Sequence, residues 1–368
     1  MFKRILVPLD GSSESERAIP LAAAVASRYG AAVTLTEVVG SGAMVELEEV
    51  VFADSGVLPA EYSSQAVQEQ GIDYLNSVAV DLRRGGLAQV EVVLCRGDTG
   101  SEIQRLAGDA DLVVMATHGR SGLARLLLGS MAMNTVRQVT TPVLLVNGHL
   151  TGLEATYSFK RLLVPLDRSR LAESALPLAV SVAQQLGAEL VLLELEPQGI
   201  EASVYIAHHV GQNGASEDEV YLLGPDAEVL PAYIYLEDIA DRYLPVDLHY
   251  TLVAGEGQSA NHISQVAQER GCDLIVMATH GQAGINRLLH GSVTEQVLTS
   301  SPVPVLVLHS TSGVAAASTA SPQKLVPLPL AAGSNLCSST SLCQWTDRRL
   351  VSERWGWQCY SLVGSIAP

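Results

Sequence analysis

Two loops in this chain carry the residue types and spacing that a phosphate group requires. The first runs Ala116-Thr117-His118-Gly119, then nine residues, then Gly129-Ser130. The second runs Ala278-Thr279-His280-Gly281, then nine residues, then Gly291-Ser292. A polyphosphate is held by backbone amides that approach it closely, so side chains must be absent where it sits. Gly119 and Gly129 supply that access in the first loop, and Gly281 and Gly291 in the second. Ser130 and Ser292 stand at the N-cap or first turn of a following helix. Their hydroxyls and amides, with the amides of Met131 and Val293, would face phosphate oxygens and add the positive end of the helix dipole. Leu126 to Leu128 and Leu288-Leu289 are placed to anchor the loops. There is no Gly-Lys-Ser/Thr, no GxGxxG, and no Ser-Gly-Gly loop after the first strand. A single Gly-x9-Gly-Ser is weak evidence; the same loop written twice in the same surroundings is strong.

Other reactive side chains near the loops point to no catalysis. His118 and His280 have no partner acid or nucleophile in view, which favours hydrogen bonding within the loop over general-base work. Arg125 and Arg287 recur in both loops and read as surface ion pairs or phosphate contacts. Arg120 is matched by Gln282. His208-His209 lacks a carboxylate or third histidine at ligand spacing, so it reads as surface decoration and not a metal site. Of the five cysteines, Cys95 and Cys272 lie at unmatched positions and no CxxC occurs, so a zinc or redox motif is not expected.

The elements that position the loops are also written twice. Each loop follows a buried-strand run, Asp111-Leu-Val-Val-Met115 or Asp273-Leu-Ile-Val-Met277. Each precedes another, Thr141-Pro-Val-Leu-Leu-Val146 or Val303-Pro-Val-Leu-Val-Leu308. Lys3-Arg-Ile-Leu-Val-Pro-Leu-Asp10 is echoed by Lys160-Arg-Leu-Leu-Val-Pro-Leu-Asp167. The stretch from Glu16 to Ala24 is echoed from Glu173 to Ser181, and that from Gly30 to Leu35 from Gly187 to Leu192. A repeat of this length means two whole domains and not a solenoid.

In the first copy the pattern predicts strands at 5–9, 32–39, 90–95, 112–116 and 142–146. Helices are predicted at 12–29, 60–84, 101–108 and 130–139, with Ser12 or Ser13 as the first cap. Continuous Val/Ile/Leu strands alternating with helices argue for a parallel sheet covered on both faces. The expected fold is therefore α/β, with two tandem, doubly wound, open, parallel five-stranded sheets of Rossmann-like type and ligand at the carboxyl ends of the strands. The domains are expected at 1–147 and 159–309, joined by a linker at 148–158. The second holds an insertion at about 196–245 that reads as a lid or helical excursion. Residues 310–368, without periodicity, read as a disordered or loosely attached tail.

A formal charge of −17 over 368 residues argues against nucleic-acid binding. It also requires a bound polyphosphate to be held by local dipoles against an unfavourable mean field. No apolar run reaches the ~18 residues that a membrane helix needs. Met1 leads straight into a charged pair and a strand without a signal-peptide layout, so a cytoplasmic location is expected.

With these motifs the chain resembles the universal stress protein family in a tandem two-domain form, over residues 1–147 and 159–309. Nucleotide-binding members carry Gly-x2-Gly-x9-Gly-Ser/Thr after the fourth strand and bind ATP there. Ala116 and Ala278 replace the leading glycine of that pattern. The resemblance implies an adenine nucleotide, ATP, with Mg²⁺ or Mn²⁺ carried by its phosphates. It places Asp10 and Asp167 beside the adenosine portion, Pro8 and Pro165 at the turn, and Val38 and Leu195 against adenine. Gly11 becomes Arg168 in the second copy, which would cover the nucleotide or obstruct it. The expected function is a stress-response regulatory protein, at most a slow ATPase. The alternative is a dimerisation or interaction module of the same fold without nucleotide. The resemblance further implies pairing of the last strands, making the chain an internal pseudo-dimer and leaving homodimer formation open.

Overall fold

The protein is described from a computed structural model, in which the described residues are 2–39, 64–117, 129–147, 150, 157–196, 205–210, 216–221, 230–256, 260–280 and 292–310. The first half runs β1 (Arg4–Leu9), α1 (Ser13–Glu16), α2 (Ala18–Tyr29), β2 (Ala32–Val39), α3 (Ser64–Arg84), β3 (Val90–Arg96), α4 (Thr99–Ala107), β4 (Leu112–Ala116), α5 (Ser130–Gln138) and β5 (Val143–Val146). The second half repeats the series with β6 (Arg161–Leu166), α6 (Arg170–Glu173), α7 (Leu176–Leu186) and β7 (Glu189–Glu196). Then come β8 (Tyr205–Val210), β9 (Ser216–Tyr221), α8 (Leu230–Tyr243), β10 (Tyr250–Glu256), α9 (Ala260–Glu269), β11 (Leu274–His280), α10 (Ser292–Ser300) and β12 (Val305–Ser310).

The helix expected over 12–29 is divided at Arg17. Ser12 caps α1 by accepting from the Ser15 amide at 3.1 Å, and α2 starts afresh at Ala18. Pro20 explains the break: inside a continuous helix its ring would meet the carbonyl four residues back, whereas a first turn tolerates it. The second half breaks in the same way, with Pro177 in the first turn of α7.

Hydrogen bonding joins all strands into one twelve-stranded sheet, in the order β3-β2-β1-β4-β5-β12-β11-β6-β7-β10-β8-β9. The two parallel five-stranded units are thus present, running outward in mirrored order from a seam. At that seam β5 and β12 are antiparallel, with Val143, Leu144 and Leu145 opposite Val307, Leu306 and Val305. The expected pairing of last strands is the join between the halves. Asn147 Nδ2 donates to the Thr299 carbonyl across it at 2.6 Å, and Arg137 meets Glu295 at 2.5 Å.

The insertion is not only helical. It contributes the antiparallel pair β8–β9, which lies beside β10 and widens the second sheet beyond five strands, and then α8. The register sets Asp218 opposite His208 and Glu217 opposite His209.

Helices cover both faces. On one side α2, α3, α7 and α8 pack against Ile5, Val7, Val33, Leu35, Leu190 and Leu192. On the other, α4, α5, α9 and α10 pack against Leu6, Val113, Met115, Val191 and Ile275. Alternate residues of each central strand therefore enter opposite cores, which is why those strands are apolar throughout. Below the sheet, Asp111 accepts from the Lys3 and Arg4 amides, and Asp273 from those of Lys160 and Arg161. These repeated aspartates tie strand starts together and lie away from the loops. Cys95 and Cys272 are buried and free, and burial pushes the Cys272 thiol up to about 12. Among the described residues, no helix is long and apolar enough to cross a membrane. The tail lies outside the described residues.

Candidate functional site

The sheet opens a crevice at each switch point. β1 pairs with β2 over its full length, from Arg4–Ala32 to Leu9–Glu37. Its ladder to β4 holds only Ile5–Leu112 and Leu6–Val113. The second half repeats this with Leu162–Leu274 and Leu163–Ile275. Beyond those pairs the carboxyl halves of β1 and β4, and of β6 and β11, are not laddered to each other. That is where an open α/β sheet takes a ligand. Pro8 and Pro165 therefore sit within strands, in register with Thr36 and Leu193, and not in the turn as expected. A proline has no amide to donate, and a central strand tolerates one where the ladder on that side has ended.

At the end of β1, Asp10 shapes the turn. Its Oδ1 accepts from the Ser12 amide at 3.0 Å and from the Ser12 hydroxyl at 2.6 Å. Asp167 likewise accepts from the Ser169 amide at 3.0 Å. Neither aspartate is the helix cap; Ser12 and Ser169 are, and the aspartates hold the capping residues. Val38 follows the alternation of β2 onto the face opposite Val33 and Leu35, and Leu195 packs toward the α9 and α10 side. Both residues stand at the carboxyl ends of strands adjoining β1 or β6.

Across the crevice, Ala116 is buried at the end of β4 and Ala278 two residues before the end of β11. Thr117, 1% exposed, has its amide on the Val146 carbonyl, and its own carbonyl accepts from the Gly129 amide at 2.8 Å. That bond draws both ends of the first loop together. Gly129 is the N-cap and Ser130 the first helical residue. α1 and α4 have their first amides capped by Ser12 and Asp98, but α5 has no side-chain cap. Among the described residues, no side chain caps its leading amides, which a helix cannot satisfy internally. Met131 is half-buried beside the same core, and Val293 holds the matching place on α10, which starts at Ser292. Gly129 has φ −56° and ψ 139°, a backbone open to any residue. Dihedral angle therefore does not call for glycine at this position. His118, Gly119, Arg120 and Arg125, with Gly281, Gln282, Arg287 and Gly291, lie outside the described residues.

A tyrosine that sequence reasoning missed backs each turn. Tyr74 on α3 lies near Glu16, Glu37 and Asp10, whose charges add to burial in raising its phenol. Tyr235 on α8 donates to Glu173 Oε1 at 3.1 Å and lies near Glu194 and Asp167. The matching pairs Leu9–Glu37 and Leu166–Glu194 make these the same cluster twice. Only the Glu16/Glu173 echo gave a signal in sequence; the two helices share no visible motif. In the second cluster Arg168 extends to Glu194, its Nε 2.5 Å from Oε1, and passes 5.7 Å above the Tyr235 ring.

Burial raises the phenols of Tyr74, Tyr157, Tyr235 and Tyr243, and pushes Tyr29 up to about 12. A raised folded value favours the protonated, folded state. The stability these phenols supply is present at neutral pH and is lost as pH rises from the ordinary tyrosine range near 10 through the folded values. In an alkaline titration, tyrosinate absorbance is expected to rise steeply together with loss of secondary structure. Gradual ionisation of all tyrosines well before unfolding would contradict their burial.

The comparisons with known proteins agree on one family. The sequence model described as "Universal stress protein family" matches residues 1–147 and 158–309. A universal stress protein of Mycolicibacterium smegmatis is 27% identical over 312 residues, covering 83% of this chain and 96% of that protein. One from Methanocaldococcus jannaschii is 32% identical over 152 residues, covering 40% of this chain and 82% of its own. A crystal structure of a universal stress protein from Archaeoglobus fulgidus superposes with a TM-score of 0.56 at 19% identity, covering 83% of this chain and 96% of that one.

Proposed function

The chain belongs to the universal stress protein family, and from that premise we propose that it binds adenine nucleotide, ATP in the first instance, at the switch-point crevice of each half. The observation that carries this reading is the early end of the β1–β4 ladder facing a helix, α5, whose N-terminus has no side-chain cap. In this reading the nucleoside lies in the crevice beside Asp10 and Val38, and the amides following Gly129 donate to phosphate. The donor set fits a triphosphate: backbone amides and the positive end of a helix dipole, without a lysine whose position a loop motif would fix. A divalent cation, Mg²⁺ or Mn²⁺, would be carried by phosphate oxygens, supplying charge neutralisation. This chain's own residues orient the base and ribose and hold the phosphates. The role that follows is regulation, through a conformation or surface that differs between bound and free states.

The test is a calorimetric titration of the full chain, freed of co-purified nucleotide, with ATP and Mg²⁺. Saturable binding is expected, and its absence would leave the interaction-module reading in its place.

A further inference from the structure

The two sites differ inside the turn that carries Asp10 or Asp167. Gly11 has φ 74° and Arg168 has φ 61°, so the turns share a left-handed backbone. Among the described residues, Arg168 is the one non-glycine in that region. A side chain there costs about 1 kcal/mol or more relative to glycine. Such strain persists where surrounding contacts over-determine it.

The contacts are specific. Arg168 Nε lies 2.5 Å from Oε1 of Glu194, a carboxylate whose side chain is only 4% exposed. The guanidinium stacks over Tyr235, whose hydroxyl is bound to Glu173 on α6. Glu194 alternates with Leu195, so it belongs to the face covered by α7 and α8 while Leu195 belongs to the opposite one. The arginine thus leads away from the side assigned to adenine. It ties the Asp167 turn to β7 and, through Tyr235, to α8. The first half has the same acceptors, Glu37 and Tyr74, but at Gly11 it has no side chain to reach them.

Resting on the nucleotide reading above, we propose that Arg168 is a positioning residue that pre-sets the Asp167 turn, making the second nucleotide site the tighter of the two. A turn already held in its binding conformation spends less free energy on ordering when ligand arrives. The first turn keeps its own bonds from Ser12 to Asp10, but with glycine at the corresponding position it has no side chain tying it to β2 and α3.

Each site can be read alone in the full chain by titrating ATP after disabling the other loop, with Gly129→Val for the second site and Gly291→Val for the first. The second site is expected to bind about tenfold more tightly, the scale of roughly one ordered turn. In the Gly129→Val background, Arg168→Gly should remove that advantage and Arg168→Lys should restore part of it. In the Gly291→Val background, Gly11→Arg should tighten the first site, because its partners are already in place. This last arm still tests the idea if Arg168→Gly impairs folding. Unchanged second-site affinity in a folded Arg168→Gly chain, or no gain from Gly11→Arg, would overturn the clamp and leave nucleotide binding standing. Absence of ATP binding in the unsubstituted chain would overturn both.

Discussion

Replacing Gly129 and Gly291 together by valine is expected to reduce ATP affinity by at least about 100-fold while the chain stays folded. At Gly129 the backbone angles of −56° and 139° lie in a region that valine adopts readily, so the substitution introduces no dihedral strain. The amide that donates to the Thr117 carbonyl is retained. What changes is the space in front of the first α5 amides, where two methyl groups would stand in the path of a phosphate. Losing several charge-assisted contacts to backbone amides is worth about 3 kcal/mol or more, which sets the fold-change. Calorimetry with ATP measures the loss, and circular dichroism on heating checks the fold. Full affinity in the double variant would show that phosphate is held elsewhere. Gly129→Ala should fall between, because a single methyl intrudes less.

Leu306→Ala is expected to cost about 3 kcal/mol and to destabilise both halves at once. Leu306 and Leu144 are each 2% exposed and face each other across the β5–β12 seam. Around them stand Phe2, Tyr29, Leu112, Phe159 and Leu274, drawn from both halves, so the cavity left behind would be lined by a shared core. Leu144→Ala should cost a similar amount, and the double variant less than the two together, since neighbours share one cavity. Arg137→Ala, which breaks a half-exposed ion pair at the same seam, should change stability by about 1 kcal/mol or less. Denaturant unfolding provides the measurement. A variant in which one half melts early while the other keeps its original midpoint would show that the seam is not a common core.

The fold was legible because its evidence is local and doubled. Apolar strand runs, Gly30 and Gly187 closing helices, and the matched segments around Asp10 and Asp167 each needed only a few neighbouring residues. The pairing of the last strands came only with the family resemblance, and its antiparallel direction is given by the structure. The β8–β9 pair was not, because its flanking glycines and acidic residues resemble a loop until a neighbouring edge, β10, supplies partners. Pro8 looked like a turn residue for a similar reason. Only the early end of the β1–β4 ladder shows that a proline fits there.

At the site, Asp10, Val38 and Ala116 stand at or just beyond strand ends because apolar strand runs mark those ends in sequence, while their part in binding is a proposal. Tyr74 and Tyr235 escaped notice since their role depends on how a helix settles against the sheet. Arg168 read on type alone as a residue that would cover the nucleotide or obstruct it; its ion pair with Glu194, on the face of β7 opposite Leu195, turns it away from both roles.

The covalent join between the halves changes what their pairing depends on. Two separate copies meeting through β5-type edges would form a dimer whose population falls on dilution, and any two copies could combine. Here the segment after Asn147 keeps β12 near β5 at an effective concentration that dilution cannot lower. The seam need only be strong enough to close, not to capture a free partner. Partner choice is also removed: a half bearing Gly11 is always matched with one bearing Arg168, in equal number. Each half is thereby free to drift in sequence without losing its mate.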